Sequence, residues 1–209
     1  MSLFPARRLA LGCTTFGREI PEATAFALVD FAVAHGITLF DTAEAYGGGQ
    51  ARAYRRERLG LDDIREVSGE LHSSEKIIGR WLTSRGCRDQ ITLVTKVTRD
   101  FSRAHVRAAL EASLARLQTD RVDLYLYHSY DSTTPAAETA AAMDAVIRAG
   151  LTWAGGCMIV GRCCISPSPR RRRQLGPGSK SSTPSRSRRR PNTCCATAMA
   201  STATSSPSV

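Results

Sequence analysis

Ile37-Thr-Leu-Phe-Asp41 is a short β-branched and aromatic run that stops on a carboxylate. Such a run predicts a buried strand whose last residue emerges at an open end. The pattern recurs at Ile91-Thr-Leu-Val-Thr95, which closes on Lys96, and at Val122-Asp-Leu-Tyr-Leu-Tyr127, which closes on His128. One strand ending on an ionisable residue is ordinary surface. Three of them in succession point to a shared site, because parallel α/β folds gather their chemistry at the carboxyl ends of the strands.

Helical patterns lie between these strands. Residues 22 to 35 follow Pro21 and precede Gly36, with Leu28, Val29 and Ala32 expected on one face. Ser74 is placed to cap a helix from Glu75, whose Ile77, Ile78, Trp81 and Leu82 share a side, and Gly86 ends it. After Ser102, the series Val106, Ala109, Leu110, Ser113, Leu114 and Leu117 makes one buried stripe, leaving Arg103, Arg107, Glu111 and Arg116 for water. Residues 136 to 149 form an Ala-rich fourth helix. Leu9-Ala-Leu-Gly-Cys13 supplies a first strand, so the chain reads as α/β with about four βα units. Gly47 to Ser73 reads as one long loop bearing Arg52, Arg55, Arg56 and Arg58, either solvated surface or a lid over a site.

Charge divides the 209 residues sharply. Residues 1 to 153 hold 19 Lys+Arg and 19 Asp+Glu, so the whole net charge of +10 belongs to the remainder. Five of the seven cysteines and six of the nine prolines lie there too. From Met158 onward, Ser/Arg/Pro-rich runs replace any helix or strand period and cannot bury a core, which predicts a disordered basic tail over residues 158 to 209. A basic arm for nucleic acid and out-of-frame translation both account for it. The second is preferred, because the change begins inside an expected strand and the adjacent pairs Cys163-Cys164 and Cys194-Cys195 lack metal-ligand spacing. No apolar run is long enough to span a membrane, and no signal peptide is evident, so a cytoplasmic location is expected.

Asp41, Tyr46, Lys96 and His128 suit proton delivery to a carbonyl. A phenol with a reference pKa near ~10 donates poorly at neutral pH unless a cation stabilises its ionised form. Lys96 can be that cation, Asp41 can hold it, and a neutral His128 can orient a substrate oxygen. His35, His72, His105 and His128 show no paired spacing, so no metal site is expected.

Asp41-Thr-Ala-Glu-Ala-Tyr46-Gly47 resembles the aldo/keto reductase signature, Val94-Thr-Lys96 and Leu126-Tyr-His128 are similar to its Lys and His motifs, and Leu11-Gly-Cys-Thr-Thr-Phe-Gly17 and Ser74-Glu-Lys-Ile-Ile-Gly79 to its first loop and second helix. The resemblance covers about residues 1 to 157. It implies half of a (β/α)8 barrel at 1 to 157 followed by the tail at 158 to 209. It also implies NADPH-dependent reduction of an aldehyde or ketone, with Tyr46 as proton donor, Lys96 and Asp41 tuning it, and His128 positioning the small-molecule carbonyl. Gly12, Cys13, Thr14 and Asp41 would border the nicotinamide, Cys13 standing where the family more often has Thr. An incomplete, inactive relative and a binding protein using the basic tail are the alternatives.

Overall fold

The computed structural model describes residues 9–61, 66–157 and 166–167. Five parallel strands run in sequential order: β1 (Ala10–Gly12), β2 (Leu39–Asp41), β3 (Thr92–Val97), β4 (Val122–Tyr127) and β5 (Thr152–Cys157). The helices α1 (Glu22–Ala34), α2 (Gln50–Leu59), α3 (Ser73–Arg85), α4 (Arg103–Leu117) and α5 (Ala136–Arg148) complete the alternation. This is the α/β architecture expected, with β3 reaching one residue past Lys96 and β2 beginning two residues after Ile37.

Ser166–Pro167 form a two-residue strand, β6, antiparallel to β5 at Gly155 and Ala154. The outer edge of β5 offers unpaired amides and carbonyls, and an extended segment satisfies some of them. The remainder of the predicted tail lies outside the described residues.

The two-residue period of the strands divides the core. Phe40, Leu93, Val97 and Tyr125 pack under the helices with Ile78, Trp81, Leu110 and Val146. Val94, Leu124, Leu126 and Ala154 form a second cluster on the opposite face, with Leu39 against it. The α4 stripe is buried residue for residue, from Val106 through Ala109, Leu110, Ser113 and Leu114 to Leu117. Helix α3 lies against α4 so closely that a Cβ on Gly79 would overlap the Arg116 carbonyl.

Four local expectations need correction. Leu28 is 36% exposed, turned off the face that buries Val29 and Ala32. Arg116 reaches inward to the fully buried Glu75 instead of facing water. Part of the expected loop is helix α2, which buries no residue and closes on Gly60 in the left-handed region. Helix α3 starts at Ser73, after His72 with φ 57°, so Ser74 is no cap and its hydroxyl is spent elsewhere.

Candidate functional site

Strand alternation builds the site. Asp41 follows Leu39 by two residues, Lys96 follows Val94, and His128 follows Leu124 and Leu126. Each polar group therefore continues the face whose apolar members form the second cluster, one layer nearer the carboxyl ends of the strands. Across the ladder Asp41 stands beside Val94 and Lys96 beside Leu126, so the polar groups border the apolar cluster directly.

Lys96 is the hub. Its side chain is 1% exposed, and an ammonium has three protons to place. They go to Asp41 Oδ1 at 2.6 Å, the Thr42 carbonyl at 2.8 Å and Tyr46 Oη at 3.3 Å. The Tyr46 oxygen accepts from the cation and keeps its own proton for another partner. The ammonium also lies 4.5 Å from the centre of the Tyr46 ring. His128 meets that ring edge to face, with centroids 5.2 Å apart. All four residues named from sequence thus come together, carried by three neighbouring strands and the loop after β2.

His128 is held neutral. Burial, then the Lys96 charge, lowers its pKa below the ordinary value, against a smaller opposing effect of Asp41. Its Nδ1 is buried with no hydrogen-bond partner among the described residues. That nitrogen is closed to solvent, so an uncharged imidazole beside a tyrosine could hold a ligand oxygen only through its other ring nitrogen.

The end of β1 faces Asp41. Gly12 pairs with Asp41 across the ladder, and a Cβ built on Gly12 would meet nothing within 4 Å, which leaves open space there. Cys13, the next residue, turns inward. It is fully buried; its amide donates to the Asp41 carbonyl, its thiol to Leu11 O, and its carbonyl accepts from Ser74 Oγ. Burial above all, with Asp41, pushes the Cys13 thiol far above its usual range. Its polar atoms are engaged beneath the mouth, while Gly12 is exposed and Thr14 half-buried.

Several further groups support these four. Ser74 gives its proton to Cys13 O, so the Thr42 hydroxyl donates to Ser74 Oγ at 2.8 Å and ties β2 to α3. Glu44 accepts from the Thr98 amide at 2.6 Å, joining the loop after β2 to the end of β3. Glu75, fully buried, accepts from Thr95 Oγ1 and Arg116 Nε, each at 2.6 Å, and so braces the residue next to Lys96. Triple glycine 47 to 49 is a crossing point: a Cβ on Gly48 would strike the carbonyls of Ser68 and Gly17. A separate groove of about 1020 Å³, lined by Phe101, Tyr127, Tyr130, Met143 and Cys157 among others, includes none of the four central residues.

Among the described residues no helix is long and apolar enough to cross a membrane, and no cluster of His, Cys, Asp and Glu could hold a metal ion.

Comparison with known proteins matches residues 8–157 to the model of the aldo/keto reductase family. Oxidoreductase YrpG of Bacillus subtilis is 36% identical over 157 residues, which cover 68% of this chain and 42% of that protein. Aldo-keto reductase YhdN of the same organism is 34% identical over 158 residues, covering 69% of this chain and 41% of its own length. An aldo/keto reductase from Klebsiella pneumoniae, crystallised with NADP and acetate, superposes with TM-score 0.54 at 30% identity, over 71% of this chain and 44% of that one. The chain thus spans about two fifths of the length of the curated relatives it matches.

Proposed function

The chain belongs to the aldo/keto reductase family over residues 8–157, and on that premise we propose that it serves the reduction of an aldehyde or ketone to an alcohol, with NADPH as cofactor and Tyr46 as proton donor. One observation carries the reading: Lys96 Nζ, nearly inaccessible to water, reaches both the Asp41 carboxylate and the Tyr46 oxygen. A cation at that place holds the negative charge left on the oxygen when the phenolic proton departs. Asp41 and the Thr42 carbonyl fix the cation. His128, held neutral, orients the carbonyl oxygen toward Tyr46.

The cofactor fits what this chain offers. When bound, NADPH supplies the hydride. Gly12, Cys13, Thr14 and Asp41 would border its nicotinamide, and the open space at Gly12 supports that placement. That NADP occupies the Klebsiella relative supports the choice of nucleotide. We assign the reductase unit to residues 1 to 157 and treat 158 to 209 as a segment of separate origin, in keeping with the charge division. The buried Cys13, whose thiol donates to the Leu11 carbonyl, agrees with a reducing, cytoplasmic setting.

Consumption of NADPH on addition of a small aromatic or aliphatic aldehyde tests the reading, with Tyr46→Phe as the paired control. Turnover in the unaltered chain that vanishes in Tyr46→Phe is the expected result. Equal rates in both would remove Tyr46 from the reaction. If the unaltered chain shows neither turnover nor saturable quenching of its fluorescence by NADPH, the reductase reading is wrong for this chain.

A further inference from the structure

Helix α2 buries no side chain, yet its first residue is turned toward the segment that carries Tyr46. Gln50 Nε2 donates to two main-chain carbonyls of that segment, Tyr46 O at 3.0 Å and Glu44 O at 3.1 Å. Gln50 Oε1 accepts from the His72 amide at 2.7 Å, which spends the other end of the same amide on the far side of the excursion. His72 itself completes a ring of contacts, its Nδ1 donating to Glu44 O at 2.5 Å. To do so it sits at φ 57°, a left-handed conformation that a residue with a Cβ adopts only under constraint.

Neighbouring contacts lock the same crossing. The Gly48 amide donates to Ser73 Oγ at 2.8 Å, and that hydroxyl donates to Phe16 O at 3.0 Å. Packing does not explain Gln50, because α2 has no apolar face against the body. Chain economy does not explain it either, since the excursion leaves the Tyr46 loop at Gly47 and returns at His72, where Gln50 ties both ends together.

We propose that Gln50 is a positioning residue for Tyr46: with His72 it clasps the excursion shut on the loop bearing the proton donor and holds the phenol between Lys96 and His128. The proposal rests on the reading of Tyr46 as that donor. Tyr46 sits on a loop rather than a strand, so its ring inherits any drift of its backbone, and Gln50 is the side chain that holds the Tyr46 carbonyl. A displacement of about 1 Å at a reacting group costs on the order of a hundredfold in rate.

Two variants separate the amide's functions. Gln50→Glu keeps the length and the acceptor for His72 but loses the donor to both carbonyls, and Gln50→Ala removes both. The direct readout is the nuclear Overhauser cross-peak between the Tyr46 and His128 rings, assigned with Tyr46→Phe. The Phe40–Trp81 edge contact at 5.7 Å serves as the control for the core. Loss of the Tyr46–His128 cross-peak in either folded variant, with the Phe40–Trp81 cross-peak kept, is the expected result. In turnover it should appear as a fall in kcat on the order of tenfold to a hundredfold with KM little changed, and a larger solvent deuterium isotope effect on kcat. Persistence of the Tyr46–His128 cross-peak in the variants overturns the proposal even if activity falls. If the cross-peak is absent from the unaltered chain, the site geometry fails and both readings go with it. If the geometry responds to Gln50 but the unaltered chain turns over no carbonyl, the reductase reading falls and the role of Gln50 stands.

Discussion

Lys96 and Asp41 form an ion pair of unequal burial: the ammonium is 1% exposed and the carboxylate 35%. Removing either partner therefore has different consequences. Asp41→Ala strands a charge away from water and should destabilise the fold by about 3 kcal/mol. Adding Lys96→Met removes the stranded charge and fills its volume, so the double variant should be more stable than Asp41→Ala alone. Urea midpoints at constant slope measure both. A double variant no more stable than the single one would mean that Lys96 does not depend on Asp41.

Acid sensitivity should trace to His128. Its folded pKa lies below the reference of about 6.5. Between the two values the unfolded chain binds a proton that the folded chain refuses, so stability falls as pH drops from about 6.5 through the folded pKa. His128→Gln should flatten that slope relative to the unaltered chain and leave stability at pH 8 nearly unchanged. Identical slopes for the two proteins, from denaturation at a series of pH values, would contradict this.

Two arginine pairs on α4 differ in kind. Arg107 and Glu111 are both at least half exposed, and breaking that pair with Arg107→Ala should cost no more than about 0.5 kcal/mol. Arg116 partners Glu75, whose side chain is 0% exposed. Arg116→Leu leaves a buried carboxylate with only Thr95 and should cost about 3 kcal/mol or more. Thermal denaturation of the two variants side by side decides it, and comparable losses would refute the distinction.

Gly79 sets two known effects against each other. Alanine is the better helix former by about 1 kcal/mol. Its methyl group, however, would overlap Arg116 O and crowd Leu117, which are backbone atoms that cannot swing aside. Overpacking of this kind costs about 1–3 kcal/mol, and because nothing flexible can yield, it should win. Gly79→Ala is therefore expected to lower the melting temperature; a rise would show that α3 and α4 can slide apart.

The sequence made the strands and the α4 stripe legible because period and burial coincide there. Val94 and Lys96 stand two apart, and Val106 to Leu117 repeat at helical spacing, so pattern alone places them. Arg116 is not legible in this way, because its spacing marks an outward position while its long side chain bends back to Glu75. Helix α2 has no apolar stripe, so no period in the sequence marks it. Leu28 sits one residue before a buried Val29, so the exposed flank of α1 looked like part of its core face. The Thr42 carbonyl on Lys96 and the Gln50 amide on Tyr46 belong to no motif, since main-chain acceptors look alike in every sequence.

Strands β2, β3 and β4 are neighbours in the sheet in the order in which they are made. Lys96 meets Tyr46 and Thr42 across 50 and 54 residues, yet none of these closures waits for a later element. A growing chain holds every group of the site once His128 has left the ribosome, before α5 and β5 exist. Assembly of the proton-handling groups is then an early event of synthesis. Pulsed hydrogen exchange during refolding would show it as joint protection of the β2, β3 and β4 amides, ahead of those of β5.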